Sequence, residues 1–300
     1  TRVMANVGKT QSTGVELTIN TKNIDSRNFK WSTDFTFTAY KDRWKERTPD
    51  WKPGVYERVD DPIRPIYTRL ADHILQIGEQ VPDAQPLLRP GELVIKDING
   101  YRRDANKQPI VDENGRFLLT GEPDGLIDDA DNVLLGSQDP SWLAGITNTF
   151  KYKDFDLNIQ LNGMFGRRMQ DPTEMAYGLG GGDLARYGYN ALRKIKDRWT
   201  WDNPSTTQPT SFNGWGNNYT SGDWYYQRAW FIRLTNISFG WTLPKAWIAR
   251  TKVLSRVRLS LSASNLFCIT PYKGLDPETD YYAASYPNAR TYSMGINVTF

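Results

Sequence analysis

The side chains with the clearest potential for chemistry are acidic and amide groups in two short segments of the chain. Asp97-Ile98-Asn99-Gly100 has the spacing with which a calcium-binding loop opens, and residues 124–131 have the spacing with which such a loop closes. Joined together, the segments would offer oxygen ligands around a sharp turn at Gly125. The candidate ligands are the side chains of Asp97, Asn99, Asp124, Asp128 and Asp131 and the main-chain carbonyl of Leu126. The alternative is a turn-rich acidic loop that binds no ion.

The segment between these two halves carries a turn signal of its own. Ile110-Val111 and Phe117-Leu118 flank Asp112-Glu113-Asn114-Gly115, and an Asn-Gly pair between apolar residues is typical of a hairpin turn. A hairpin brings its own two ends together. We therefore expect a small local hairpin that can be inserted into the acidic loop without separating the candidate ligands.

The reactive side chains of the chain do not assemble into a catalytic site. His73 is the single histidine and has no second histidine or thiol with which to hold a metal. Cys268 is the single cysteine and cannot form an internal disulfide. Adjacent carboxylates such as Asp60-Asp61 point apart on a strand and mark a solvated loop more often than a glycosidase pair. We expect the protein not to be an enzyme.

Aromatic side chains provide the candidate substrate contacts. Trp215, Trp224, Tyr225 and Tyr226 lie in or beside a long irregular stretch, where their rings could stack on sugars. The whole chain has 11 Trp, 16 Tyr and 12 Phe, an abundance that also suits aromatic girdles at membrane interfaces. Packing of these rings in a girdle or in the core of a loop is the alternative interpretation.

The elements that must position these residues are β-strands, and residues 290–300 show the pattern most clearly. Apolar residues alternate there with small polar ones, which predicts a strand and not a helix. The apolar face consists of Tyr292, Met294, Ile296, Val298 and Phe300. At roughly 3.3 Å per residue and a tilt near 40°, its two terminal aromatic rings would lie about 20 Å apart, close to the spacing of two membrane interfaces. The same alternation would also suit a strand that faces a protein core.

Six further stretches alternate in the same way. They are residues 15–20, 29–40, 142–150, 155–162, 227–242 and 257–264. The fifth is the least regular, because Arg233 and Thr235 fall on the same face as Phe231 and Ile237. The polar faces carry charges, which a wet lumen tolerates and a dry core does not. The charged residues that could line a substrate path are Glu16, Lys30, Asp34 and Arg258.

The connections between the predicted strands alternate between short and long. We expect long outer loops over about residues 41–140, 167–226 and 267–289, with short connections after the first, third and fifth strands. This sorting is expected when all short turns lie on one side of a membrane and all long loops on the other. The fold predicted is an all-β, antiparallel transmembrane β-barrel, of which this chain supplies about seven strands.

Composition is compatible with this fold and argues against other classes. The chain has no run of about 18 apolar residues, so we expect no transmembrane helix. The net charge of +3, from 37 basic and 34 acidic residues, is too balanced to suggest nucleic-acid binding. The chain starts at Thr1 without an initiator Met, a strand-like pattern follows at once, and seven is an odd number of strands, which a whole bacterial barrel does not have. We therefore expect residues 1–300 to be the C-terminal part of a longer barrel protein.

Several segments resemble the SusC/RagA family of TonB-dependent outer-membrane transporters from the Bacteroidetes. The segments that carry the resemblance are Gly14-Val15-Glu16-Leu17, Phe150 to Leu157, Leu243-Pro244, Asn265-Leu266-Phe267, Tyr272 to Glu278, and the ending Arg290 to Phe300. Together these segments touch most of the chain outside its long loops. Their order and spacing make the match specific. Family members often have an uninterrupted acidic loop at the place where this chain has its split one.

The resemblance implies what the rest of the protein would be. It implies a barrel of about 22 strands closed around an N-terminal plug, which lies outside these residues. It also implies location in the outer membrane of a Gram-negative bacterium, contact with lipid, and a SusD-like surface lipoprotein as partner. Import of oligosaccharides or peptides would be driven by TonB through the missing N-terminal region. No cofactor would be required, and calcium would be structural if it is bound.

A second hypothesis is a secreted all-β protein that binds or degrades glycans. It would share the strands and the aromatic residues. It predicts that the apolar faces are buried against a second sheet, and it offers no reason for the sorted connections. The two hypotheses differ in where the side chains of Leu17, Phe35, Ile159, Leu259 and Ile296 point. The barrel predicts one continuous outward band, with Glu16, Asp34, Asn158, Ser260 and Asn297 on the concave side.

Overall fold

The computed structural model describes residues 8–113, 116–178, 188, 190–210, 222–279 and 286–300. Its main feature is one antiparallel sheet whose seven long strands follow one another in chain order. They are β1 (Lys9–Asp25), β2 (Phe29–Glu46), β7 (Trp142–Tyr152), β8 (Phe155–Phe165), β11 (Phe231–Thr242), β12 (Arg256–Ser264) and β14 (Thr291–Thr299). A short strand, β13 (Cys268–Ile269), pairs with β11 beyond the end of β12. The predicted all-β class and the seven predicted strands are confirmed.

The long connections contain the remaining elements. Their strands pair in twos, as β3 with β6, β4 with β5, and β9 with β10. The bounds of these strands are β3 (Pro65–Thr68), β4 (Ala71–Ile74), β5 (Leu93–Ile95), β6 (Val133–Ser137), β9 (Arg168–Gln170) and β10 (Tyr226–Arg228). Helix α1 (Pro172–Tyr177) follows β9, and helix α2 (Lys245–Ile248) follows β11. Within the described ranges, no helix combines the length and the apolar character needed to cross a membrane.

The strand register gathers the apolar side chains on one face of the sheet. Directly paired residues lie on the same face, so a chain of pairings traces a row across the sheet. One such row crosses all seven strands through Ile24, Trp31, Phe150, Leu157, Phe239, Leu261 and Met294. The neighbouring row runs through Lys22, Ser32, Thr149, Asn158, Ser238, Ser262 and Ser293 and lies on the opposite face. One face is thus mainly apolar, with polar residues such as Thr33 and Asn148 as exceptions, and the other is mainly polar.

The apolar face is exposed, and within the described residues no second sheet packs against it. Leu17 is 46% exposed, Leu261 is 53% exposed and Ile296 is 63% exposed. The largest cluster of buried apolar residues lies in the loops, and its members are Ile74, Leu93, Ile95, Trp199 and Tyr225. These residues come from the two longest connections, which therefore pack on each other. A sheet with an exposed apolar face fits a lipid-facing wall and does not fit a sandwich.

Aromatic rings form a row at each end of the apolar face. At one end Trp31 stacks on Phe150, with ring centroids 5.7 Å apart, and Phe155 stacks on Trp241 at 5.7 Å. At the other end Trp142 contacts Phe37 and Phe165, and Phe165 contacts Trp230. Along β8 the two rows are ten residues apart, from Phe155 to Phe165, which is about 25 Å along a barrel axis at a tilt near 40°. This is the height expected of the apolar band of an outer-membrane barrel.

The order of the strands sorts their connections between the two ends of the sheet. Because neighbouring strands are antiparallel, consecutive connections lie at alternate ends. The connections 26–28, 153–154 and 243–255 share one end, which we call the short-connection end. The connections 47–141, 166–230 and 265–290 share the other, the long-connection end. The two acidic segments, which lie in the connection 47–141, are therefore at the long-connection end.

A β-bulge in β11 corrects one feature of the sequence interpretation. Phe231 and Arg233 were expected on the same face as Ile237. The register instead shifts between Leu234 and Asn236, so that Thr235 is the extra residue. Arg233 pairs with Asn162 on the polar face, whereas Ile237 pairs with Ile159 on the apolar face. The irregular alternation of this strand reflects the bulge, because one extra residue moves the side chains before it to the opposite face of the sheet.

Candidate functional site

The two acidic segments come together at the long-connection end. The carboxylate of Asp97 accepts hydrogen bonds from the backbone N–H groups of Asp124, at 3.2 Å, and Gly125, at 2.7 Å. Gly100 lies so close to the second segment that an added Cβ would be 2.5 Å from Asp124 Cβ. Gly125 has φ +85°, a conformation that glycine adopts without strain. The sequence therefore assembles one acidic loop from two separated halves.

Asp131 is the buried centre of this loop. Its side chain is fully buried, and Oδ1 accepts from the N–H groups of Ile98, at 2.8 Å, and Asn99, at 3.2 Å. Its Oδ2 accepts from the N–H of Asp128 at 2.9 Å, while Asp128 Oδ1 accepts from the N–H of Ala130 at 2.8 Å. These last two bonds form a capping box around a single 3₁₀ turn. Asp131 thus ties the first acidic segment to the second.

The inserted residues close on themselves, as a hairpin insertion requires. The N–H of Thr120 donates to the carbonyl of Gly100 at 2.9 Å, and Tyr101 pairs with Leu119 just beyond this closure. Val111 pairs with Phe117 further out. The predicted turn residues Asn114 and Gly115 lie outside the described residues. The insertion therefore leaves the acidic loop at the same place where it returns.

The arrangement of the acidic loop does not by itself show a metal centre. Most of the carboxylate bonds described above go to backbone N–H groups and so stabilise turns. In the part of the chain that the structure describes, no group of three or more His, Cys, Asp or Glu side chains has the arrangement of a metal site. Burial, then the negative charges of Asp128 and Asp129, raises the pKa of the nearby Tyr101. Calcium binding by this loop stays a prediction.

The described aromatic candidates for substrate contact divide into half-buried and buried rings. Tyr225 is 2% exposed in the loop core, and its burial raises the pKa of the phenol. Trp224 is half-buried and packs against that core. Tyr226 is half-buried and pairs with Gln170. Trp215 lies outside the described residues. A role of these rings in substrate binding stays a prediction, and Trp224 and Tyr226 present the accessible faces.

The polar face of the sheet carries an ion pair that sequence reasoning missed. Arg258 was expected to line the lumen, but its partner was not identified. The guanidinium of Arg258 on β12 binds both carboxylate oxygens of Asp156 on β8, at 2.5 and 2.8 Å. The pair spans β11 above Gly240, where any Cβ would clash with Arg258. The available signal was a glycine within an alternating strand, which often marks close approach of another group.

A second ion pair connects the sheet to the last long connection. Arg233 Nη2 lies 2.6 Å from Asp276 Oδ1, and these side chains are only 5% and 4% exposed. Arg233 Nε lies 3.1 Å from Glu278 Oε2, and Asp276 Oδ2 accepts from the N–H of Asn288 at 3.0 Å. Arg167 also donates to the carbonyl of Pro277 at 3.4 Å. The segment 276–278 is therefore held against the polar face by charged side chains of the sheet and its flanking segment.

Comparisons with known proteins agree with this architecture. No family model matches the chain. It is 28% identical over 321 residues to the TonB-dependent receptor P3 of Formosa agariphila, covering 98% of this chain and 29% of that protein. It is 24% identical over 315 residues to the TonB-dependent receptor SusC of Bacteroides thetaiotaomicron, covering 98% and 27% of the two chains. The chain thus spans less than a third of the length of these relatives.

Solved structures show the same fold. The structure of the RagAB peptide transporter matches 98% of this chain and 30% of its own, with a TM-score of 0.72 and 20% sequence identity. The RagAB peptide importer in its open-open state matches with a TM-score of 0.71 and 20% identity. The seven-stranded sheet is accordingly a section of an outer-membrane β-barrel, as predicted. The resemblance read from the sequence is confirmed: over nearly its whole length, this chain is similar to TonB-dependent receptors of the SusC and RagA type.

Proposed function

We propose that this chain forms part of the barrel wall and outer loops of a TonB-dependent importer that takes up oligosaccharides or peptides across the outer membrane. The observation that supports the proposal most strongly is the sheet with one exposed apolar face and one polar face. Such a wall separates hydrocarbon from a wet lumen. The long connections, which pack into a common core, provide a structured surface at one end of that lumen. Transport of this kind needs no covalent chemistry from these residues.

The partners of the whole protein belong to the same proposal. A SusD-like lipoprotein would close the long-connection end, and TonB would act through a region outside these residues. The likeness to the RagAB peptide transporter supports a two-component importer, and the likeness to SusC supports a receptor that depends on TonB. Neither likeness chooses between oligosaccharides and peptides.

Substrate contact is proposed for the aromatic residues that precede and begin β10. Trp224 and Tyr226 would stack on sugar rings or on apolar peptide side chains. Buried Tyr225 would hold them in place, and Trp215 would contribute from the same connection. The test is growth of a strain that lacks the receptor, complemented with the wild-type gene or with a Trp224→Ala, Tyr226→Ala double variant.

The growth experiment separates the proposed substrates. Oligosaccharides and peptides would be supplied in turn as the limiting nutrient, with and without functional TonB. We expect growth on one class only, dependent on TonB, and at least about a fivefold weaker uptake in the double variant, since stacking is worth at least about 1 kcal/mol for two rings. Growth on both classes without the receptor would contradict the import proposal. Unchanged uptake in the double variant would contradict only the roles of the two rings.

Structural calcium in the acidic loop is a separate proposal. The two halves of the loop are adjacent, and Asp97, Asn99 and Asp131 each supply side-chain oxygens there. The test is calorimetric titration of the purified receptor with Ca²⁺, using Asp97→Asn as the variant and Asp60→Asn, outside the two acidic segments, as a control. We expect heat of binding that the Asp97 variant loses and the control keeps. Equal heats for all three proteins would contradict calcium binding at this loop.

A further inference from the structure

The connection 243–255 differs from the other two at the short-connection end. The others, 26–28 and 153–154, are tight turns, whereas this one contains α2 and a 3₁₀ turn over Ala249–Thr251. Ile248 is 5% exposed and fixes the connection to the sheet. Trp247, by contrast, is 55% exposed, and Val253 is 66% exposed. The connection therefore presents large apolar side chains away from the body of the protein.

The same connection carries unbalanced positive charge. Residues 224–275 contain no Asp or Glu. Four basic side chains in or next to the connection are exposed, and within the described ranges none of them forms an ion pair. They are Lys245, Arg250 and Lys252 within the connection, and Arg256, which begins β12 on the polar face of the sheet. Asp154 and Asp156 line a cavity of about 380 Å³ beside the connection, together with Lys151, Lys153, Lys245 and Arg256, and Asp156 is paired with Arg258.

The exposed tryptophan is continuous with the membrane-facing band. The ring of Trp247 contacts Trp241 edge-to-face, with centroids 5.9 Å apart. Trp241 in turn stacks on Phe155 in the aromatic row at this end of the apolar face. Trp247 therefore extends that row past the end of the strand, to the level at which tryptophan meets lipid headgroups. The four exposed cations lie within nine residues of it along the chain.

We propose that the connection 243–255 is a docking site for anionic phospholipid headgroups in the leaflet at the short-connection end. Trp247 and Val253 enter the interface, while the long basic side chains reach phosphate oxygens at its surface. Charge complementarity selects an anionic lipid over a zwitterionic one. Contact with the apolar band favours a lipid over a soluble acidic partner. The proposal rests on the barrel fold and does not depend on what the protein imports.

The test compares lipid selectivity of the full-length receptor in nanodiscs. Spin-labelled phosphatidylglycerol and phosphatidylcholine report the share of each lipid that is immobilised at the protein surface. The variant is Lys245→Gln, Arg250→Gln and Lys252→Gln together. The matched control neutralises three exposed cations at the long-connection end, Lys52, Arg102 and Lys107.

We expect the wild-type receptor to prefer the anionic lipid at least about fivefold at low salt. The variant should lose most of that preference, and the control should keep it. Equal preference in all three proteins would overturn the proposal. So would wild-type receptor that shows no preference for the anionic lipid but retains a soluble acidic peptide through these three cations.

A second measurement does not depend on the variant that neutralises three cations. Lipids brominated near the headgroup quench tryptophans at the interface. We expect anionic brominated lipid to quench the receptor more strongly than zwitterionic brominated lipid. The difference should fall by at least about half in Trp247→Phe, because Trp247 extends the membrane-facing aromatic row at this end. An unchanged difference would place Trp247 away from the headgroups and would overturn the proposal.

Discussion

At the scale of single residues, one glycine decides whether two charges on the polar face can meet. Gly240 pairs with Asp156 on one side and with Ser260 on the other. Because it has no side chain, Arg258 can cross above it to Asp156 and form a bidentate ion pair. Opposite charges on non-adjacent strands are thereby neutralised on a face that would line the lumen.

Replacing this glycine should therefore weaken the sheet. In Gly240→Ala the added methyl group would displace Arg258, and overpacking of this kind costs about 1–3 kcal/mol. We expect the receptor to unfold at a lower urea concentration in detergent. Gly54→Ala is the control, because its added Cβ would have only ordinary contacts with Glu57 at 3.6 Å or more. Equal midpoints for both variants and the wild type would contradict this role of Gly240.

The single histidine lies in the long-connection end between two carboxylates. His73 Nδ1 is 2.9 Å from Asp72 Oδ2, and Nε2 is 2.6 Å from Glu79 Oε1. Burial alone would lower the pKa of His73, but the two hydrogen bonds outweigh it and raise the pKa. The pKa of Asp72 is lowered, chiefly by its hydrogen bond with His73, and the pKa of Glu79 is lowered, chiefly by the N–H of Gln76.

The pH dependence of this group follows from the directions of the shifts. A raised histidine pKa means that its contribution to stability is complete below the ordinary value of about 6.5 and is lost as the pH rises through the raised pKa. The contribution of the carboxylates is lost as the pH falls through their lowered pKa values. In NMR titration of the receptor, the imidazole signal that disappears in His73→Asn should have a midpoint above about 6.5. A midpoint at or below that value would show that the ion pairs do not form.

At the scale of elements, the bulge in β11 connects the sheet to the last long connection. The extra residue Thr235 turns Arg233 onto the polar face, where it reaches Asp276 and Glu278. Without the bulge, the side chain of Arg233 would fall on the lipid face at a large cost in free energy. The bulge and the buried ion pair therefore act together to hold the segment 276–278 against the sheet.

Breaking the buried pair should release this segment. In Arg233→Met, Asp276 would be left buried without its partner, which costs about 3–5 kcal/mol. We expect hydrogen exchange over residues 272–279 to accelerate strongly, while exchange in β8 stays slow. Glu278→Gln is the control and should cost less than about 1 kcal/mol, because the Glu278 side chain is 43% exposed.

A double variant tests the same interaction from the other side. Arg233→Met with Asp276→Asn removes both charges, so the penalty for an unpaired buried carboxylate disappears. Exchange over residues 272–279 should then be slower than in Arg233→Met alone. Exchange that is as fast in the double variant, or no acceleration in the single one, would show that the ion pair does not hold the segment.

These elements show what the sequence could and could not predict. Strict alternation in residues such as Tyr292 to Phe300 predicted the strands, because side-chain direction has a period of two. In the sequence, the bulge at Thr235 appeared only as an irregular alternation, because the pattern does not show which residue of the strand is the extra one. The pairing of Arg233 with Asp276 joins residues 43 positions apart, and that of Arg258 with Asp156 joins residues 102 positions apart. Such contacts depend on strand order and register, which a single sequence leaves open.

The long connections were the least predictable part of the molecule. Their common core brings together Ile74, Leu93, Trp199 and Tyr225 from two separate connections without any sustained periodicity. Tyr225 could be identified as an aromatic candidate, but its burial depends on these distant partners. The acidic loop was easier to predict from the sequence, because residues such as Asp97 and Asp131 have characteristic spacings within their own halves of the loop. The hairpin signal at Asp112 explained how the halves could still meet.

At the scale of the whole molecule, the division between two faces governs where charge is tolerated. Ile159 pairs with Ile237 on the apolar face, and its neighbour Asn158 pairs with Ser238 on the polar face. A lysine facing the middle of the hydrocarbon costs about 2–4 kcal/mol, whereas a lysine facing a wet lumen costs little. We expect Ile159→Lys to lower the amount of folded, heat-modifiable receptor in the membrane and Asn158→Lys to leave it unchanged. The reverse order would contradict the assignment of the faces.

The most direct test of the central claim is to measure which solvent each face meets. Nitroxide labels would be placed singly in the full-length receptor, with Cys268→Ser as the background, and their collisions with oxygen and with a water-soluble nickel chelate would be compared. The apolar sites are Leu157, Leu261 and Met294, and the polar sites are Asn158, Ser262 and Ser293. We predict that oxygen, which concentrates in hydrocarbon, dominates at all apolar sites and that the nickel chelate dominates at all polar ones. Apolar sites shielded from both reagents, as in a core between two sheets, would contradict the barrel wall.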